Sequence, residues 1–540
     1  MNDMRAVTTG TAHSGPDLYE RKATGLVRSI SLRSNIYFNV ITVGVMWSVL
    51  ALTQIAGGFA DANPVVTAII AAVVCLAPVL LYGLFTAAIP RSGGDYVWVG
   101  RTFRPWVGLA VNVNATIWFV LANGFLAFLV AQDALPTAFV TLGKAFNSEA
   151  IAGWAGAISS PGWTFAIGVA VLVVSGIATA AIPMRKAMKV AAAFFVITIL
   201  GLIVAIIALL LTSRADIVSG VESAGGDYDA IVKAGAEFGF GTGGFSLWSC
   251  LLAVPPLYLA LAYTVGGAYT GGEVRNPRRT GVYGPLIASA LVGVLVIIAF
   301  AAAARTLGSD FVSAASFLSA SGDPAYTLGQ PASFFYFVTL GTNSAVVLTI
   351  IAIAYFAAPL STILATVLFS TRNLFAWSFD RVLPTKVSEV SPKTNTPVVA
   401  PIIVTVVSTV YLAFLIWGSP TFSAAFGAII LGTTISFIVT AIAAIVFPFR
   451  RRALYSSSAV RGEILGVPVL TVVGVLALVV YSFVFFALVS QDALGVNNAT
   501  GFAATAIVLV IALIAYPIAY IVNKSRGVDL ALVGRELPPE

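Results

Sequence analysis

Charge is scarce in this sequence. Asp, Glu, Lys and Arg make up 9% of its 540 residues, where a soluble protein carries about 25%. With 59% hydrophobic residues, that excludes an ordinary solvated domain. Histidine is nearly missing. His13, in a polar stretch, is the single one, so neither a histidine metal site nor a histidine proton relay can be built. The two cysteines, Cys75 and Cys250, both lie in apolar runs, which excludes a disulfide framework. No Asp, Glu, Lys or His falls near the middle of an apolar run. Ionisable groups at membrane depth mark ion and proton pathways, so their scarcity argues against a side-chain proton relay. The nearest acids, Asp95, Asp133 and Glu273, read as helix-end residues with solvated or structural roles. No nucleophile, acid/base pair or metal-ligand cluster suggests an enzyme. No ring of charges suggests a channel.

What is present is a series of apolar runs of about 20 residues or more, the length of membrane-crossing helices and too long for barrel strands. The expected fold class is an all-α membrane protein with twelve transmembrane helices. Their ranges are 35–58, 64–89, 104–131, 163–182, 187–212, 246–268, 281–304, 344–371, 397–418, 423–448, 467–490 and 500–523, numbered here as segments 1 to 12. Residues 1–34 and 524–540 read as polar tails, with no cleavable signal peptide. Twelve crossings put both termini on one side. With that side inside, 25 of the 29 Lys and Arg residues fall in the tails and inner connections. Only Lys144, Arg214, Lys233 and Arg305 fall outside. This positive-inside bias predicts cytoplasmic termini in the plasma membrane. It also accounts for the net charge of +7 without a nucleic-acid partner. The expected partners are a small solute and the lipid bilayer, with the chain a monomer or homodimer.

The stretch from Ser246 to Thr280 organises the rest. It begins as an apolar helix and then meets Gly266-Gly267 and Gly271-Gly272. Each glycine costs a helix interior roughly 0.5–1 kcal/mol relative to alanine. A Gly-interrupted membrane segment is the best sequence pointer to a transporter binding site, because backbone freed inside lipid survives only when buried in protein or lining a cavity. Close helix packing is the alternative reading of the glycines. Tyr263 and Thr264, beside the glycine pair, are candidate cavity residues. In segment 3, Asn114 and Trp118 lie one turn apart and share a face. They are candidate wall residues, with interhelical hydrogen bonding as the alternative.

Three further stretches carry a resemblance. They are Ala88-Ile89-Pro90-Arg91-Ser92-Gly93-Gly94-Asp95-Tyr96, Glu273-Val274-Arg275-Asn276-Pro277-Arg278-Arg279, and Ser370 to Pro384 followed by Thr396-Pro397. In order and spacing these resemble the cytoplasmic signatures of the amino acid–polyamine–organocation (APC) transporter superfamily, over about residues 34–450. The resemblance implies the leucine-transporter-type fold. Segments 1–5 (35–212) and 6–10 (246–448) would form a 5+5 inverted repeat, with segments 1 and 6 broken at mid-membrane around the solute and segments 11–12 (467–523) outside that core. It implies a secondary active permease for an amino acid or a related amine or heterocycle, working by alternating access. The solute-binding residues it implies are Val43, Gly44, Val45, Met46, Trp47, Asn114, Trp118, Tyr263, Thr264, Gly266 and Gly267. The sequence departs from the family at the segment 1 break. Small residues usually stand there to receive a carboxylate on bare amides, and of these only Gly44 remains.

No cofactor is implied beyond a coupling ion. By position in the family, the Ser361 and Thr362 hydroxyls and the carbonyls of Ala358, Val43 and Met46 would hold Na⁺. Pro359 has no N–H, which frees a carbonyl in the preceding turn. The position where proton-coupled relatives often place a lysine is Thr198. Na⁺ symport is therefore expected. Proton coupling, exchange, and a receptor that binds without moving solute remain open, and the two hydroxyls could simply bond within their own helix.

Overall fold

The computed structural model describes residues 28–394, 396–418, 422–525, 527 and 530, and for Trp47, Phe422 and Ser423 the backbone alone. Most of both tails lies outside that range. Ten helices among the described residues are long and apolar enough to cross a membrane. They coincide with segments 2–5 and 7–12, from Pro64–Ala88 through Ala499–Lys524. Several begin where the sequence supplies a cap. Asn63 and Asn276 accept first-turn amides, each with proline at the first helical position, where a missing N–H loses nothing. Segments 5, 9 and 12 turn apolar side chains outward, Leu211, Val410 and Ile521 among them. In lipid such a face carries no penalty.

Segments 1 and 6 are the two without a helix long enough to cross a membrane. Segment 1 runs as Leu32–Val43, one turn at Val45–Ser48, and Ala51–Gly58. The interruption is Gly44, at φ 61°, a left-handed conformation that glycine adopts without a Cβ clash. Segment 6 runs as Leu247–Leu252 and Pro255–Ala262, then as turns with short 3₁₀ stretches at Gly266–Ala268 and Gly271–Glu273. Its helix ends six residues before the expected 268. The glycines propagate a helix poorly, and nothing downstream restores one until Pro277.

Segment 1 packs between segments 5, 7 and 8. Segment 3 packs against 8, 9 and 10, and segment 11 against 10 and 2. Two segments are longer than expected. Segment 8 runs Ala345–Phe379, so the Ser370 signature begins on the helix and not after it. Segment 3 continues through a π-helical turn at Val130–Ala134 into Leu135–Ala145. The wider turn absorbs Pro136, which cannot donate to the usual carbonyl. Asp133 therefore lies within a 41-residue helix, not past its end as the sequence suggested. The all-α expectation has one small exception, a two-stranded hairpin at Glu463–Ile464 and Val467–Pro468.

Candidate functional site

The two broken segments enclose a cavity of about 120 Å³ together with segments 3, 8 and 10. At 10–15 Å³ per water-sized body, that is space for on the order of ten non-hydrogen groups, the scale of an amino acid. Segment 1 contributes Thr42 and Val43, and segment 6 contributes Tyr263, Val265 and Gly266. Toward the end away from residues 28–30 the cavity reaches Gln54, Leu129, Pro256 and Phe426.

Aromatic rings close the other end. Tyr269 stacks on Phe369 with centroids 5.3 Å apart, and Phe119 meets both edge-on at 5.7 and 5.0 Å. Behind the rings lies Asp95, fully buried between segments 2 and 3. Of the two roles expected for this helix-end acid, solvated or structural, the structure shows the structural one. Tyr82 and Tyr269 donate their hydroxyls to one carboxylate oxygen at 3.2 and 3.1 Å, and the Asn112 amide donates to the other. The indole of Trp377 donates to Asn112 at 2.7 Å, so the network ties segments 2, 3, 6 and 8 together. Deeper still, Arg372 of segment 8 donates to Glu273 at 2.7 Å, both buried. The backbone of Ser29 and Ile30 donates to the Glu273 carbonyl at 2.9 and 3.0 Å. Glu273 is thus a buried ion-pair partner, the structural rather than the solvated of its two expected roles. The Gly-Gly-Asp and Glu-Val-Arg-Asn-Pro signatures close the cavity on the face where residue 28 lies.

Burial pushes the Asp95 carboxyl up and the donors from Asn112, Tyr269 and Tyr82 pull it part of the way back, which leaves it at about 6. Its pKa in this closed arrangement is above its ordinary value of 3.8. The closed arrangement therefore binds the proton more tightly than the unfolded chain does, and stability from this group falls as pH rises through about 6. The melting temperature is expected to rise between pH 7.5 and 5 by an increment that Asp95→Asn removes. An identical pH profile in that variant would contradict the assignment.

The residues expected around the solute divide into three sets. Val43, Tyr263 and Gly266 line the cavity. Gly44, Val45, Met46, Thr264 and Gly267 are buried but do not form its wall. The Trp47 side chain lies outside the described residues. Asn114 and Trp118 do not line the cavity either. Asn114 donates to the Gly432 carbonyl and Ser436 hydroxyl of segment 10, at 2.7 and 2.8 Å. Trp118 lies so close to Gly432 that a Cβ there would be 1.9 Å from the indole nitrogen. The face that does reach the cavity is Phe119, Ala122, Leu126 and Leu129. It starts one residue later, a rotation of about 100°.

At the expected cation site, the Ser361 hydroxyl donates to the Ala358 carbonyl at 2.7 Å. Thr362 donates to the Ala358 carbonyl at 3.2 Å and across to the Ile41 carbonyl of segment 1 at 3.0 Å. The segment 1 oxygen in contact with Thr362 thus belongs to Ile41, two residues before Val43. Thr198 bonds to the Phe194 carbonyl of its own helix at 2.8 Å.

Sequence reasoning missed Asn35 and Asn39. The Asn39 amide donates to Asn35 at 2.8 Å, and its oxygen accepts the Gly267 amide at 2.8 Å, so segment 1 caps the unwound part of segment 6. Two asparagines four residues apart at the head of an apolar run were the available signal.

Residues 35–514 match the Amino acid permease family. The chain belongs to that family, within the APC superfamily. A comparison with curated proteins found no match. The permease is therefore a transporter of amino acids and not an enzyme, a multi-pass helical protein whose partners are a small-molecule solute and the bilayer. The ring-capped cavity is its candidate solute site.

Proposed function

We propose that this permease accumulates its amino acid by Na⁺ symport, through alternating access across the plasma membrane with both termini cytoplasmic. The observation that carries the reading is a group of neutral oxygens at the segment 1 break: the hydroxyls of Ser361 and Thr362 and the carbonyls of Ala358 and Ile41. Hard monovalent cations favour such oxygen ligands, and the end of the Leu32–Val43 helix directs its carbonyls there. The Val43 and Met46 carbonyls, one on each side of Gly44, are further candidates for the same ion.

In this reading segments 1–5 (35–212) and 6–10 (246–448) are inverted repeats, segments 11–12 (467–523) flank them, and all twelve cross the membrane. The closed end formed by Tyr269, Phe369, Asp95 and Glu273–Arg372 is the cytoplasmic gate, and solute enters past Gln54 and Phe426. Backbone at Val43 of segment 1 and at Val265 and Gly266 of segment 6, which line the cavity, meets the two ends of the amino acid.

The test is thermal stabilisation of the purified protein by a pool of amino acids in NaCl and in choline chloride. Stabilisation that requires Na⁺ is expected. Equal stabilisation in both salts removes the symport reading and keeps the cavity. One observation favours proton coupling as a second reading. Asp133 sits inside the segment 3 helix and accepts the Tyr355 hydroxyl of segment 8. In that case Asp133→Asn abolishes uptake driven by a proton gradient, whereas under Na⁺ symport it leaves Na⁺-driven uptake in place.

A further inference from the structure

The cavity wall also carries information about the amino acid's side chain. Among the described residues no Asp, Glu, Lys or Arg lines it. Its polar side chains are mostly engaged elsewhere. Thr42 donates to the Phe38 carbonyl at 2.7 Å and Tyr269 to Asp95 at 3.1 Å. Thr362 donates to the Ile41 carbonyl at 3.0 Å. Tyr263 is bonded to Thr433, and Thr366 to Asn123. Gln54 stands apart from these at the outer rim. The rest of the wall is aromatic and aliphatic: Phe119 meets Phe369, Tyr263 and Tyr269 edge-on, Phe437 meets Tyr263 edge-on, and Tyr269 stacks on Phe369.

We propose that the solute is a neutral amino acid with a large apolar side chain, aliphatic or aromatic, and that acidic and basic amino acids are excluded. This rests on the reading of the cavity as the amino acid site of a permease. An ionised side chain entering this wall would leave water and find no opposite charge, a transfer that is strongly unfavourable unless the charge is paired. An apolar side chain gains by the same transfer, roughly fourfold in affinity for each buried CH₂. Leucine should therefore exceed alanine by on the order of 50-fold. The volume sets the upper limit, since space for about ten non-hydrogen groups takes leucine or methionine with little to spare and reaches phenylalanine only at its bound. The backbone at the two helix breaks remains for the groups every amino acid shares, so the wall discriminates by side chain alone.

The experiment is uptake by proteoliposomes holding the full chain, against labelled leucine, phenylalanine, alanine, lysine and glutamate supplied separately. Leucine and phenylalanine are expected to be carried at least tenfold more effectively than alanine, with lysine and glutamate at background. Ala122→Leu, which fills the wall from segment 3, is expected to reduce phenylalanine uptake at least tenfold and alanine uptake much less. If that variant does not fold, Ala260→Val tests the same wall from segment 6. Preferential uptake of lysine, glutamate or alanine overturns the inference and leaves the permease reading standing. Uptake of none of the five overturns the reading of the cavity itself, and this inference with it.

Discussion

Replacing Ser361 and Thr362 together with alanine is expected to abolish the stimulation of uptake by Na⁺, a loss of at least tenfold, while the protein stays folded. The two hydroxyls sit inside the Ala345–Phe379 helix, where alanine is the better helix former. The variant loses the bonds of both hydroxyls to the Ala358 carbonyl of their own helix and the bond from Thr362 to the Ile41 carbonyl at 3.0 Å; only the last ties two segments together, at about 1 kcal/mol. The functional cost is larger, because removing two of a small set of oxygens leaves a dehydrated cation underligated. Uptake at zero and saturating Na⁺, beside a melting curve, separates the two. Full Na⁺ stimulation in the double variant would show that the hydroxyls serve only their own helix.

Glu273→Ala is expected to cost about 3–5 kcal/mol of stability, the largest effect of a single substitution here. It leaves the buried Arg372 guanidinium without the carboxylate 2.7 Å away. Arg372→Met should cost a comparable amount by stranding Glu273. The double variant Glu273→Leu with Arg372→Met should recover most of the loss, because an apolar pair of similar volume can replace a buried ion pair at little net cost. Melting temperatures of the two single variants and the double variant, in detergent, give the coupling energy. A double variant damaged by the sum of the single losses would mean that the residues act separately and that the pair does not hold the closed end together.

The long helices were legible because length and hydropathy dictate them. Pro64–Ala88 and Val469–Ser490 fall within two residues of their expected ends. The break in segment 6 was legible because paired glycines carry a known helix penalty, whereas the break in segment 1 was expected only from the family resemblance, with Gly44 the one small residue left there. The face of segment 3 was not. Apolar residues occur all round it, so period alone could not tell the Asn114–Trp118 face from the Phe119–Ala122 face, and contact with segment 10 decided between them. For Asp95 the sequence left a solvated and a structural role open, because a Gly-Gly-Asp stretch by itself does not show what packs on it. Its burial comes from Tyr82, Asn112 and Tyr269, the last of them more than 170 residues away. Asp133 was misplaced because a π-helical turn has no clear local signature. Segment 3 appeared to end where it only widens to accommodate Pro136.

The most direct test of the central claim is the driving force for uptake. Proteoliposomes loaded with potassium buffer would receive labelled leucine under an inward Na⁺ gradient, an inward proton gradient, or neither. The account predicts concentrative uptake with the Na⁺ gradient alone, lost when choline replaces Na⁺. Accumulation driven by the proton gradient and indifferent to Na⁺ would contradict it, and would transfer the coupling role from the Ser361–Thr362 oxygens to a buried carboxylate such as Asp133.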